Sequence, residues 1–69
     1  MSNSTIELIK INIKKYRQKA KLTQEQLSEI AGISVDYLSE IERGKKFPSL
    51  KRLILIANAL KIEPYLLLK

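Results

Sequence analysis

The sequence predicts a small all-α fold of five helices, and three observations support this. Apolar residues recur at spacings of three and four along most of the chain. The few residues that start or end helices fall between these periodic segments, at Gly32, Gly44, Pro48 and Pro64. A chain of 69 residues has room for one domain, which we expect to span residues 1–69.

The composition limits both the core and the chemistry. Hydrophobic residues make up 45% of the chain and aromatic residues only 6%, so we expect a core of Leu, Ile and Ala. There is no Cys and no His, which excludes disulfides, thiol nucleophiles and the usual zinc ligands. We therefore expect no metal, no cofactor and no small-molecule ligand. An enzyme is not predicted, because the carboxylates have no evident catalytic partner and the chain is too short to enclose a cleft.

The charge balance favours an anionic partner. Thirteen Lys and Arg against seven Asp and Glu give a formal net charge of +6, the sign that attracts phosphate polyanions or anionic membranes. The longest apolar run, Leu53 to Ala57, is five residues, far short of the roughly 20 that a membrane-spanning helix needs. The N-terminus lacks the apolar stretch of a secretory signal. We expect a cytoplasmic protein without a membrane partner.

The first predicted helix covers about residues 5–20. Its apolar stripe consists of Ile6, Ile9, Ile13, Tyr16 and Ala20. Opposite the stripe lie four lysines, namely Lys10, Lys14, Lys15 and Lys21. We interpret these lysines as a solvated basic face, with direct phosphate contact as the alternative.

The next two helices, at about residues 24–31 and 35–43, are joined by a short turn. Thr23 and Gln26 form a capping box before the second helix, and Ser34 caps the third. Gly32 supplies the left-handed backbone that ends a helix. The residues expected to face inward are Leu27, Ile30, Ala31, Ile33, Leu38 and Ile41. Such a turn leaves the third helix at the surface, where it can enter a major groove about 12 Å wide.

Two helices complete the predicted domain. Ser49 caps the fourth, at about residues 49–60, and Pro64 begins a short fifth at about residues 64–68. The apolar positions of the fourth helix are Leu50, Leu53, Ile56, Ala57 and Leu60. Ile62 is expected to fill the gap between these two helices.

Several segments in register resemble one family. Residues 22–34 (LTQEQLSEIAGIS), residues 37–45 (YLSEIERGK) and residues 48–50 (PSL) are similar to the Cro/C1-type (Xre) helix-turn-helix family. That family includes lambdoid phage repressors and restriction-modification controller proteins. The resemblance covers about residues 9–68. It implies a lambda-repressor-like domain that binds a specific site on double-stranded DNA and regulates transcription as a homodimer on a roughly palindromic operator.

The resemblance also implies roles for individual residues. The positions expected to reach base edges are Val35, Asp36, Ser39 and Glu40. The positions expected to contact phosphates are Gln24, Ser34, Tyr37, Arg43, Lys45 and Lys46. Ser34 is expected to act as a helix cap first, and Gln24 is expected to brace the recognition helix as well. Arg17 and Glu42 match a family pair that joins the first helix to the end of the recognition helix, and we interpret them as a structural ion pair.

Two acidic residues depart from the family pattern. Relatives often carry Lys or Gln where this chain has Asp36 and Glu40. Ionised carboxylates repel phosphate and accept hydrogen bonds only, for example from cytosine N4 or adenine N6. We expect them to reject wrong bases more than they add affinity. The alternative is that they stay solvated or pair with Arg43 and Lys45.

A dimer interface is predicted from three apolar residues at positions where members of the family usually carry polar residues. These residues are Leu55, Tyr65 and Leu66, and they lie beside inward-facing Leu60 and Leu67. An exposed apolar patch of this kind is typical of an interface. A two-fold dimer would place two recognition helices about 34 Å apart on half-sites about 10 base pairs apart. The alternative is a slightly apolar monomer surface.

Two rival functions share parts of this evidence. A protein-interaction module of the same fold, such as an antitoxin, is supported by Asp36 and Glu40 on the supposed recognition helix. A cationic helix on a membrane surface is disfavoured, because short capped helices are typical of a packed globule.

Overall fold

The structure, a computed structural model, describes residues 3–69 and confirms the predicted all-helical fold class. Four α-helices are followed by a C-terminal 3-10 helix, and residues 3–69 contain no strand. The elements are α1 (Asn3–Lys19), α2 (Gln24–Ala31), α3 (Val35–Glu42), α4 (Leu50–Ala59) and the 3-10 helix (Pro64–Leu68). Met1 and Ser2 of the expected domain lie outside the described residues. No helix between residues 3 and 69 is both long and apolar enough to cross a membrane.

The predicted fifth helix is a 3-10 helix, which differs from the α-helices before it. The N–H of Leu66 donates to the carbonyl of Glu63 at 3.0 Å, three residues back. Segments of about five residues commonly take this tighter form, because they are too short to build an α-helical ladder. The other helix boundaries lie within two residues of the expected ones, as is usual where helix ends fray.

The predicted caps around the turn are confirmed. The Thr23 hydroxyl accepts from the N–H of Gln26 at 3.0 Å, while the Gln26 side chain accepts from the N–H of Thr23 at 2.9 Å. Gly32 ends α2 with a left-handed φ of 74°, a conformation that glycine adopts without steric cost. The Ser34 hydroxyl then accepts from the N–H of Tyr37 at 3.0 Å. These local bonds fix the angle at which α3 leaves α2.

The core is built of Ile, Leu and Ala, as the composition predicts. All five elements contribute, and the buried residues are Ile9, Ile13, Leu27, Ala31, Leu38, Ile41, Leu53, Ile56, Ala57, Leu60 and Leu67. Ile33 and Ile62, expected to fill the two turns, are partly buried against this core. Because α3 buries only Leu38 and Ile41 among its apolar residues, its remaining face is available to a partner.

Three apolar residues expected to face inward do not. Ile30 is 59% exposed, Leu50 is 72% exposed, and Ala20 is exposed just beyond the end of α1. The inward side of α2 runs through Leu27, Ser28 and Ala31, so Ile30 lies at its edge. Ser28 tolerates burial because its hydroxyl donates to the carbonyl of Glu25 at 2.9 Å. Leu50 is the first residue of α4 and stays outside the core.

A buried asparagine joins the two ends of the described chain. Asn12 lies on the packed side of α1, and its side-chain amide donates to the carbonyls of Leu67 at 3.1 Å and Lys69 at 3.0 Å. Bonds to a buried amide are costly to break, since the amide would lose its partners without regaining water. Asn12 therefore fixes the 3-10 helix against α1.

Candidate nucleic-acid interface

The outward side of α3 brings together the four residues predicted to reach base edges. Val35 and Asp36 are exposed, and Ser39 and Glu40, one turn later, are partly exposed. Residues four apart on a helix lie on the same side of it. The opposite side is fixed in the core through Leu38. The structure therefore presents these four side chains as one surface, which we call the α3 face.

A buried polar network holds the end of α3. Arg17 donates to Glu42 through Nε at 2.7 Å and through Nη2 at 3.0 Å, and its Nη1 donates to the carbonyl of Leu22 at 2.9 Å. The two side chains are only 12% and 3% exposed. The hydrogen bond to Glu42 raises the pKa of Arg17 above its usual range, against the opposing effect of burial. Arg17 thus stays charged near neutral pH, and its bonds to Glu42 tie α1 to α3.

Gln24 extends this network to α2. Its side-chain amide donates to the Glu42 carboxylate at 3.1 Å, from the first turn of α2. The carboxylate of Glu42 therefore accepts bonds from both α1 and α2, which satisfies a charge that would otherwise be costly to bury. Gln24 was expected to contact a phosphate and to brace the third helix, and the structure places its side-chain amide against Glu42 at the end of α3.

Tyr37 connects α3 to the start of α4. Its hydroxyl accepts from the N–H of Ser49 at 3.3 Å, and two cations lie over its ring, Lys46 Nζ at 5.7 Å and Arg52 Cζ at 5.5 Å from the ring centroid. Ser34 and Arg52 line a small cleft of about 300 Å³ beside this ring. Sequence reasoning did not single out Arg52, although its place three residues after the Ser49 cap puts it in the first turn of α4.

The loop after α3 carries the predicted basic residues. Lys45 is exposed, and the Arg43 Nε donates to the carbonyl of Ser39 at 3.4 Å. Lys46 Nζ lies 3.5 Å from the carboxylate of Glu40. The expected alternative partners of the acidic residues were Arg43 and Lys45, so the partner of Glu40 in the structure is a different one. Lys46 reaches Glu40 because Gly44 turns the chain back with a φ of 75°.

The predicted dimer residues lie on two neighbouring elements. Leu55 on α4 and Leu66 on the 3-10 helix are partly buried, whereas Tyr65 is 58% exposed. The Lys69 Nζ lies 5.5 Å from the centroid of the Tyr65 ring. Ile54 and Leu68, which sequence reasoning did not single out, are also exposed on these elements. Both lie in uninterrupted apolar runs, residues 53–57 and 65–68, where no polar residue marks the exposed positions.

Comparison with known proteins identifies a helix-turn-helix family. A family model described as helix-turn-helix matches residues 13–67. The immunity repressor protein of Bacillus phage phi105 is 49% identical over 51 residues, which cover 74% of this chain and 35% of the repressor. The control protein C.SmaI of Serratia marcescens is 39% identical over 54 residues, which cover 78% of this chain and 64% of that protein. The chain thus spans about one third of the length of the repressor and about two thirds of the length of the control protein.

Solved structures agree in fold. The restriction-modification controller protein C.AhdI from Aeromonas hydrophila superposes with a TM-score of 0.89 at 30% identity, covering 93% of this chain and 97% of that one. The hypothetical transcription factor NHTF from Neisseria superposes with a TM-score of 0.92 at 24% identity, covering 100% of this chain and 80% of that one. At this identity the likeness supports the fold alone. Since the family model matches most of the chain and C.AhdI aligns over almost its whole length, this chain belongs to the Cro/C1-type helix-turn-helix family.

Proposed function

We propose that this chain binds a specific site on double-stranded DNA as a homodimer and thereby regulates transcription. The observation that carries the proposal is the α3 face, in which one apolar and three polar side chains are exposed or partly exposed on a helix anchored by the core and by the Arg17–Glu42 pair. A helix held in this way can enter a major groove while its contacts with the core and with α1 stay intact. The repressor and controller names of the relatives support the same function.

The α3 face has the chemistry to distinguish base pairs. Val35 offers an apolar contact to a thymine methyl group, and the Ser39 hydroxyl both donates and accepts. The carboxylates of Asp36 and Glu40 accept from an exocyclic amine, such as that of cytosine. Each good contact adds roughly 1–3 kcal/mol of discrimination against the wrong base. These four residues are proposed to select the operator.

Phosphate contacts are proposed at both ends of the α3 face. Gln24, Ser34 and Tyr37 lie near the start of α2 and α3, and Arg43, Lys45 and Lys46 follow the end of α3. With three basic contacts in each subunit, a dimer releases counterions from about six phosphates. The plot of log affinity against log salt concentration should then have a slope near −5, at about −0.9 per phosphate.

A dimer is proposed because one α3 face reads too few base pairs to define a unique site. Leu55, Tyr65 and Leu66 offer an apolar surface away from the core. A two-fold arrangement through this surface would repeat the α3 face about 34 Å away, one turn of duplex. The operator should accordingly be roughly palindromic.

The proposal is tested by selection from a random pool of DNA duplexes with the purified chain at about 150 mM salt, a concentration at which phosphate contacts alone bind weakly. Sequencing of the bound fraction should yield a two-fold-symmetric motif with half-sites about 10 base pairs apart. Weak enrichment without any sequence preference, lost on adding salt, would contradict the proposal.

A second candidate is a protein-interaction module of the same fold, such as an antitoxin. The exposed carboxylate of Asp36 and the partly exposed one of Glu40 favour it, since acidic groups on the α3 face suit a basic protein surface. A partner protein that binds the α3 face should compete with the selected duplex. Sequence-blind DNA binding combined with tight binding of such a partner would favour this candidate.

A further inference from the structure

Charge is divided unevenly along the chain. Residues 24–42, which form α2, the turn and α3, contain five Asp and Glu and no Lys or Arg. The segments on either side, residues 10–21 and 43–52, contain six and five Lys and Arg and no Asp or Glu. Duplex DNA carries one negative charge per about 1.7 Å of its axis. The helix-turn-helix unit is therefore repelled by the phosphates, and the flanking segments must supply the attraction.

Part of the flanking charge is already committed within the protein. Arg17 is paired with the buried carboxylate of Glu42, and Lys46 lies 3.5 Å from Glu40. Lys15 and Lys19 lie over the ring of Tyr16, at 5.0 Å and 5.7 Å from its centroid. Only the Arg17 pair is buried; the Lys46–Glu40 pair is exposed and is screened by water and salt, so Lys46 stays available to a phosphate.

Two lysines of α1 adjoin that loop. The stem of Lys10 lies against Gly44, 3.4 Å from the place where a β-carbon would stand on the glycine. Lys14 follows one helical turn later, and both lysines line a groove of about 680 Å³ that is also lined by Glu42 at the end of α3. Gly44 directly precedes Lys45. The basic surface is therefore continuous from the loop onto α1.

The ion pair that Lys10 forms with Glu7 is weak. Its Nζ lies 3.5 Å from Glu7 on the preceding turn, and the Glu7 side chain is 56% exposed. Exposed pairs of this kind contribute little to stability, because water and salt screen both charges. Lys10 can exchange this carboxylate for a phosphate at little cost.

We infer that Lys10 and Lys14 contact DNA phosphates beside the groove that α3 reads, so that α1 supplies part of the affinity. This inference rests on the proposed function and adds a surface outside the helix-turn-helix unit. Phosphates carry no sequence information, so these contacts strengthen binding to every duplex alike. The acidic α3 face can then select bases without having to hold the DNA.

The experiment measures the affinity of Lys10→Gln and Lys14→Gln for the selected duplex and for a scrambled one across a salt series. Lys61→Gln is the matched control, since Lys61 is exposed in the turn after α4 and outside both basic segments. Loss of one phosphate contact per subunit should make the slope of log affinity against log salt less steep by about 1.8 for a dimer. By the same relation each variant binds roughly 30-fold more weakly at about 0.15 M salt.

The weakening should be equal on the two duplexes, and Lys61→Gln should match the unmodified chain. Slopes for Lys10→Gln and Lys14→Gln equal to that of Lys61→Gln would overturn the inference while leaving the proposed function intact. Failure of the unmodified chain to prefer the selected duplex would overturn the proposed function itself. Thermal melting of each variant shows that the fold is kept, as expected for an exposed Lys→Gln change on a helix.

Discussion

The helix-turn-helix unit and the segments that flank it differ in sign of charge and in the kind of contact they make. Residues 24–42 carry only acidic charges, while residues 10–21 and 43–52 carry only basic ones. The first region presents the α3 face on a helix that is fixed in the core, and the second exposes flexible lysine side chains. Under the proposed function, this difference assigns affinity and base selection to separate parts of a 69-residue chain.

The two regions are mechanically joined at one place. Arg17 belongs to the first basic segment and Glu42 ends α3, and their side chains form a bidentate pair with 12% and 3% exposure. Gln24 donates to the same carboxylate. If this pair were broken, the chain would keep its charged residues, but α1 and α3 would no longer be held in a fixed relative position.

The largest expected effect is therefore that of Arg17→Ala. Removing the guanidinium leaves Glu42 buried with only Gln24 among its side-chain partners, which should cost about 3 kcal/mol. In a domain of this size the melting temperature should fall by roughly 10–20 °C. Lys14→Ala, an exposed position on the same helix, is the control and should melt close to the unmodified chain. An unchanged melting temperature for Arg17→Ala would show that the junction carries no stability.

The stability supplied by Arg17 should not vary near neutral pH. Its pKa is raised by the hydrogen bond to Glu42, so its contribution is fully present below the pKa of the unfolded chain. That contribution is lost only as the pH rises through the still higher pKa of the folded state. The difference in melting temperature between the unmodified chain and Arg17→Ala should accordingly be the same at about pH 7 and pH 9, since arginine stays charged at both. A difference that shrinks over this interval would contradict the assignment.

A smaller effect is expected from Tyr65→Ser, which tests whether Tyr65 lies in the contact between two subunits. Truncating a central aromatic side chain in an interface should cost about 2 kcal/mol and weaken dimerisation roughly 30-fold. Sedimentation equilibrium measures this. Ile30→Ser is a control of matched exposure, at 59% against 58%, on a different element. Equal effects of the two changes would show that Tyr65 is not in the interface.

The smallest expected effect is that of Glu40→Gln. Replacing the carboxylate should change the preferred base at one position of each half-site by about 1 kcal/mol. It should also strengthen binding to all DNA, because a negative charge is lost and Lys46 is released. Glu29→Gln on the exposed side of α2 removes the same charge away from the α3 face. An unchanged base preference for Glu40→Gln would show that Glu40 only pairs with Lys46.

The caps and the turn could be predicted from sequence because they depend on neighbouring residues. Thr23 and Gln26 bond each other across three positions, and Gly32 needs only its own left-handed backbone. It is harder to predict which residues of a short helix are buried. The apolar spacing of α2 predicted burial of Ile30, whereas packing against the other helices buried Ser28 instead.

Contacts between distant residues could not be predicted from the residues alone. Asn12 bonds carbonyls 55 and 57 residues further along the chain, and a polar residue between Ile9 and Ile13 gives no local sign of that role. The Glu40 partner was also missed, since the path of the loop after α3 depends on how Gly44 packs beside Lys10. The base-reading and dimer residues stay predictions.

The most direct test of the division between affinity and selection is a panel of duplexes that carries every single-base change of the selected operator. The affinities of the unmodified chain, Lys14→Gln and Glu40→Gln are measured on the whole panel. The division between affinity and selection predicts that Lys14→Gln weakens binding to all duplexes by one common factor, whereas Glu40→Gln changes their order at one symmetry-related pair of positions. A changed order for Lys14→Gln, or an unchanged one for Glu40→Gln, would contradict it.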